Sequence, residues 1–204
     1  MNRRLKPALS QIGRIRLGDR RGKNNAPRTL DTFRLTVPYA HKPILACAAK
    51  LYGGKVEAWD NPMEGRSWEL YTEANRIHVY VPPTMALSQW CEQWKGGGLV
   101  CRCDGETIQK HIDPERVGTP CTCPEGAEKP CEDMTRFSVF LPDLPGGLQF
   151  WRVDTQGYDA GTSILGQMLM LQGLTQPVEG YIGILRNRSG RSMTRQRRST
   201  AQKL

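Results

Sequence analysis

Five cysteines fall within 31 residues: Cys101, Cys103, Cys121, Cys123 and Cys131. The stretch between them is polar and rich in turn formers, with Asp104-Gly105, Pro120, Pro124-Glu125-Gly126 and Pro130. Such a segment has little apolar material to fold around. A metal would supply the missing cohesion, because thiolate–metal binding energy becomes folding energy. Zinc takes four ligands tetrahedrally, and four cysteines leave no open position for a substrate. The pattern predicts a structural zinc on Cys103, Cys121, Cys123 and Cys131. Cys103 is preferred to Cys101 because Asp104-Gly105 lets the chain reverse around the ion. Cys101 ends the apolar run Gly98-Leu99-Val100 and is the substitute ligand. The competing reading is a loop of free thiols or a redox pair. Cys47 and Cys91 fall on the apolar sides of two expected helices and read as small core residues.

A catalytic zinc is the sharper alternative. His111-Ile112-Asp113 followed by Pro120-Cys121-Thr122-Cys123 faintly resembles the deaminase signature H-x-E…P-C-x-x-C. The acid is Asp where that signature has Glu, and the cysteine spacing is one residue short. Lys95-Gly96-Gly97-Gly98 lacks the order of a phosphate loop and reads as the end of an element. No Ser-His-Asp or Cys-His arrangement stands out. Trp59, Trp68, Trp90, Trp94 and Trp151 sit among apolar positions and read as core.

Charge divides the chain. Residues 1–28 carry nine bases against one acid, residues 29–185 carry 13 bases against 19 acids, and residues 186–204 carry seven bases and no acid. An acidic body with basic ends differs from a uniformly basic nucleic-acid-binding domain. Arg191, Arg195, Arg197 and Arg198 are the candidate phosphate contacts of a weakly DNA-binding tail. No stretch approaches the ~18 apolar residues that span a bilayer, and no apolar run follows the basic start. The reading is cytoplasmic, where disulfides are disfavoured.

The elements that must position these residues follow from periodicity. Helical spacing marks residues 39–52, with Gly53-Gly54 as the stop, then 86–94, then 159–172. Alternation marks strands at 33–37, 55–59, 68–73, 76–81, 137–141, 148–154 and 178–185, with Ala74-Asn75 as a hairpin turn. The expected fold class is α+β: mostly antiparallel strands, about three helices and a zinc-stabilised cysteine-rich loop segment, with disordered basic ends. The expected layout is a flexible arm at 1–13, one domain at 14–185 and a tail at 186–204.

Several short motifs occur in a telling order. They are Arg14-Ile15-Arg16-Leu17-Gly18-Asp19, Pro27-Arg28-Thr29-Leu30-Asp31-Thr32-Phe33-Arg34-Leu35-Thr36 and Leu51-Tyr52-Gly53-Gly54. Leu87-Ser88-Gln89-Trp90, Arg102-Cys103-Asp104-Gly105, Pro120-Cys121-Thr122-Cys123-Pro124 and Thr135-Arg136-Phe137-Ser138-Val139-Phe140-Leu141-Pro142 follow. This series resembles the recombination directionality factors, of the actinophage type, that partner large serine integrases. The resemblance covers residues 14–185 and departs in the Arg-rich tail. It implies a protein without catalysis that binds the integrase, at its coiled-coil region, inside a bacterial host cell. It implies a switch toward excision (attL × attR) and away from integration (attP × attB), with attachment-site DNA touched indirectly or through the tails. The alternative from the residues alone is a zinc-binding, nucleic-acid-binding protein acting through its basic ends. A zinc-dependent hydrolase or deaminase is third.

Overall fold

The computed structural model describes residues 10–19, 28–61, 65–83, 86–121, 131–145, 149–171 and 173–184. Residues 1–9 of the arm expected at 1–13, the whole tail expected at 186–204, Cys123 and the four tail arginines lie outside the described residues, while Gln11 to Gly13 of that arm belong to the first strand. The strands are β1 (Gln11–Asp19), β2 (Arg28–Pro38), β3 (Val56–Asn61), β4 (Gly65–Tyr71), β5 (Arg76–Val81), β6 (Leu87–Lys95), β7 (Gly98–Cys103), β8 (Ile108–His111), β9 (Glu132–Val139), β10 (Phe150–Thr155) and β11 (Val178–Gly183). Two α-helices, α1 (Lys42–Tyr52) and α2 (Tyr158–Met170), interrupt them, along with short 3-10 turns at Tyr39–His41 and Pro114–Arg116.

Nine strands form one mixed sheet in the order β3-β4-β2-β1-β10-β9-β6-β7-β8, and β11 pairs with β5 in a second sheet of two. The chain is therefore mostly β, with two helices where the sequence reading expected about three in an α+β fold. The missing helix is residues 86–94, which form β6. Leu87, Trp90, Cys91 and Trp94 satisfy helical spacing, but they also satisfy alternation. Leu87 and Cys91 fall on one side of the strand and Trp90 and Trp94 on the other. The cysteine-rich segment is likewise less of a loop than expected, because β7 and β8 run through it.

The expected hairpin at Ala74-Asn75 is absent for a different reason. β4 belongs to the large sheet and β5 to the small one, so the turn moves the chain between sheets. It is fixed on the way: Glu73 and Ala74 both donate their backbone N–H to the carbonyl of Tyr52 (2.9 and 3.0 Å) at the end of α1.

The core lies on one face of the large sheet. Ile15, Leu35, Leu70, Phe137, Val139 and Val153 meet Leu45 and Ala48 of α1 and Ile77 and Val79 of β5. From α2, Ile164 and Met168 pack against the same cluster. Trp151 is the only one of the five tryptophans in the buried core. A Cβ on Gly13 would stand 2.6 Å from the Trp151 ring and 2.7 Å from the Thr36 carbonyl, so β1 needs a glycine where it passes over that ring.

The other face of the sheet buries charge instead. Arg34 pairs with Glu69 at 2.6 Å and with Asp19 at 3.7 Å, and Tyr71 donates its hydroxyl to Asp19 at 2.8 Å. The Trp59 ring covers the Arg34 guanidinium at 4.4 Å. Four strands along the sheet from Arg34, Glu92 accepts from Arg102 (2.6 Å), Arg136 and the Trp94 indole (3.0 Å). Burial raises the Glu92 pKa, but the arginine hydrogen bonds outweigh it and leave the carboxyl below its ordinary value.

Candidate functional site

The cysteines gather at the β6–β7–β8 end of the sheet. Residues two apart on a strand share a face, so Cys101 and Cys103 of β7 lie on one side, with Arg102 and its partner Glu92 on the other. Cys103 is opposite Cys91 of β6, which is in turn opposite Asp133 of β9. The Cys91 Sγ is 3.4 Å from Asp133 Oδ1. Cys101 and Cys103 are buried with Ile108, and Cys91, Cys121 and Cys131 are half-buried against them. The Cys103 thiol is in hydrogen-bonding contact with both Cys121 and Cys91.

Backbone geometry brings Cys121 back to this place. Its N–H donates to the carbonyl of Glu106 at 2.6 Å, and Ile108 and Thr119 are joined by a backbone bond of 3.0 Å. The turn between β7 and β8 is set by Asp104, whose Oδ1 accepts from the N–H groups of Glu106 (3.0 Å) and Thr107 (2.7 Å). Gly105 takes φ of +103°, a conformation that favours glycine. Its N–H bonds the Cys103 sulfur.

Of the four predicted ligands, the structure brings Cys103, Cys121 and Cys131 together, and Cys123 lies outside the described residues. Cys101 lies beside them as well. The residue that sequence reasoning missed is Cys91. It was placed on a helix, whereas alternation of Gln89, Cys91 and Gln93 on one side of β6 would have aimed it at the cluster. Cys47 stands apart in α1. Among the described residues, no three His, Cys, Asp or Glu side chains are grouped so that they could hold a metal ion as they stand.

Burial pushes the Cys103 thiol upward, and its neighbours Cys121 and Cys91 push the same way. Burial raises Cys91 too, with Asp133 adding to it. Thiols held protonated are poor nucleophiles, so burial leaves Cys103 and Cys91 unactivated. His111, the histidine of the deaminase-like pattern, is engaged locally. Its Nδ1 is 3.0 Å from the Asp113 backbone nitrogen and its Nε2 is 3.4 Å from Arg116 Nη1. His78 lies between Asp143 (3.1 Å) and Glu179 (2.9 Å), where it ties the small sheet to the loop after β9.

A second feature is apolar. Tyr158, Leu169 and Met170 of α2 and Leu174 just beyond it are exposed, Met170 by 86%. The buried side of the helix is carried by Gly161, which approaches Thr135 of β9 so closely that a Cβ would stand 2.8 Å from its hydroxyl. The helix thus presents one row to the core and leaves another uncovered.

No helix among the described residues is long and apolar enough to cross a membrane. No solved structure is a significant match to the chain. A family model, described as Gp3-like, recombination directionality factor-like, matches residues 12–201. That span takes in both helices and all of the described strands but the first residue of β1, and the chain belongs to the Gp3-like family of recombination directionality factor-like proteins.

Proposed function

We propose that the protein partners a large serine integrase in a bacterial cytoplasm and switches it toward attL × attR recombination while suppressing attP × attB. The observation that carries this reading is the family match across residues 12–201. Its family regulates recombination and does not catalyse it. Cutting and joining then belong to the integrase. This chain acts by binding one arrangement of the enzyme more tightly than the other, because equal affinity for both would shift nothing.

We assign the integrase contact to the uncovered side of α2. Scattered exposed apolar residues are ordinary, but Tyr158, Leu169, Met170 and Leu174 are exposed together on one helix and its following turn. A coiled-coil region offers such a row an apolar seam of its own. The experiment is recombination of paired reporter plasmids, one attL × attR and one attP × attB. The integrase comes from the same element, and this protein is titrated in. Excision should rise and integration fall, saturating near a stoichiometric ratio, since the effect is a coupling energy and not turnover. Unchanged yields on both plasmids, with protein shown to be folded, would remove the reading. The nucleic-acid-binding alternative would then take its place.

A further inference from the structure

We infer that Cys91, Cys103, Cys121 and Cys131 hold one zinc ion that fastens the outer strands of the large sheet. The set differs from the sequence expectation by one residue: Cys91 enters through the pairing of β6 with β7, and Cys123 lies outside the described residues.

Three observations converge. First, Cys103 contacts both Cys91 and Cys121 at hydrogen-bonding range. With Zn–S near 2.3 Å, the edge of a tetrahedral four-sulfur site is about 3.8 Å, so the ligands must come from side chains that neighbour one another in this way. Second, the Gly105 N–H is aimed at the Cys103 sulfur through the Cys103-Asp104-Gly105 turn. A backbone donor on sulfur is the outer support that metal-bound ligands require. Third, the cluster sits where the apolar core has ended. Among the described residues, Ile108 is the only non-cysteine member of this small buried group, so the side-chain packing on this face of β7 and β8 is mostly sulfur.

Cys131 is the fourth ligand and Cys101 is not. Cys131 stands just before β9 and packs, half-buried, against the Cys101–Cys103–Ile108 group, as Cys121 does. Cys101 pairs across the ladder with Gln93 on one side and His111 on the other, whereas Cys103 faces a second cysteine, Cys91. Sulfur positions are finished by rotation about χ1, which moves a thiol between staggered wells without disturbing the strands. Ligation replaces four thiol protons with one divalent ion, so the bound centre carries four thiolates around Zn²⁺ and releases its protons to solvent. The inference stands apart from the integrase reading, because it rests only on this chain.

The test uses the full chain, purified under reducing conditions from zinc-supplemented cells, with metal content by elemental analysis. About one zinc per chain is expected, and a metal-free preparation that is folded by circular dichroism would overturn the inference. Cys91→Ser, Cys103→Ser, Cys121→Ser and Cys131→Ser should each lose most of the zinc. Cys47→Ser and Cys101→Ser should keep it. Retention of zinc in Cys91→Ser, or its loss from Cys101→Ser but not Cys131→Ser, would overturn the ligand set. A variant that does not fold loses zinc whatever its ligands, so a second readout uses the wild type alone. Cobalt exchanged into the protein should give the strong visible bands and near-ultraviolet thiolate charge transfer of a tetrahedral four-sulfur site. A weak octahedral spectrum would count against it.

Discussion

Arg136 of β9 holds Glu92 of β6 at both ends of its carboxylate, Nη1 to Oε1 at 2.8 Å and Nη2 to Oε2 at 2.6 Å. The Glu92 side chain is fully buried, while Arg136 keeps 14% exposure and Arg102, the other partner, keeps 30%. Breaking one side of a buried pair costs about 3–5 kcal/mol. Here the arginines can reach water, so Glu92→Gln should cost about 3 kcal/mol, the low end of that range, read as a fall in denaturant midpoint at unchanged slope.

The same pair sets an acid limit. The folded Glu92 carboxyl lies below its ordinary value of 4.5. The native state therefore binds fewer protons than the unfolded chain as pH falls from that value. Its contribution is complete above about 4.5 and is lost as pH drops through the folded pKa. Wild type should lose stability below pH 4.5 more steeply than Glu92→Gln, as measured by thermal melts across that window.

Gly13→Ala should be destabilising by about 1–3 kcal/mol, as overpacking is. The added methyl meets backbone at Thr36 and an aromatic ring at Trp151, and neither can turn aside. Pairing Gly13→Ala with Trp151→Leu should recover part of the loss, a non-additivity that a double-mutant cycle measures.

Leu169→Glu combined with Met170→Glu should leave the melting temperature within a few degrees of wild type, since both side chains are exposed. The pair should lower the apparent affinity for integrase by tenfold or more, about 1.4 kcal/mol. Integrase pull-down with the variant as bait would show it. Undiminished binding would move the docking surface off α2.

Deletion of residues 187–204 removes six of the seven bases that follow Leu185. Fewer phosphate contacts mean a shallower dependence of DNA affinity on salt. A gel-shift series in rising salt should show that shallower slope together with an unchanged melting temperature.

Much of the local structure was legible. Ile44, Leu45, Ala48 and Tyr52 repeat at helical spacing, and Gly53 closes the helix at φ of +73°. α2 lies where Ile164 and Met168 placed it. β6 was not legible, because both of its sides carry large residues. Trp90 and Trp94 share a side with the buried Glu92, so no simple inside–outside alternation survives. Long-range pairing was hidden as well. β5 is joined to β11 through Tyr80 and Glu179, and nothing near either strand names the other. The cysteine site was legible as a cluster but not as a set, because Cys91 reaches it by lying across a ladder from Cys103, a relation between strands and not between neighbours in sequence.

The parallel pairing of β1 with β10 joins Gln11 to Phe150 and Ile15 to Val153. On the ribosome, β1 emerges early and finds β2 next in line, but its other edge has no partner until residues beyond 150 have been made. At about 5–20 residues per second that wait is on the order of ten seconds. Throughout it, the nascent chain carries an open strand edge with Ile12 and Ile15 on it, the kind of surface that templates aggregation. The middle of the sheet is thus the last part to close, and a chain cut short before Phe150 keeps that edge for good.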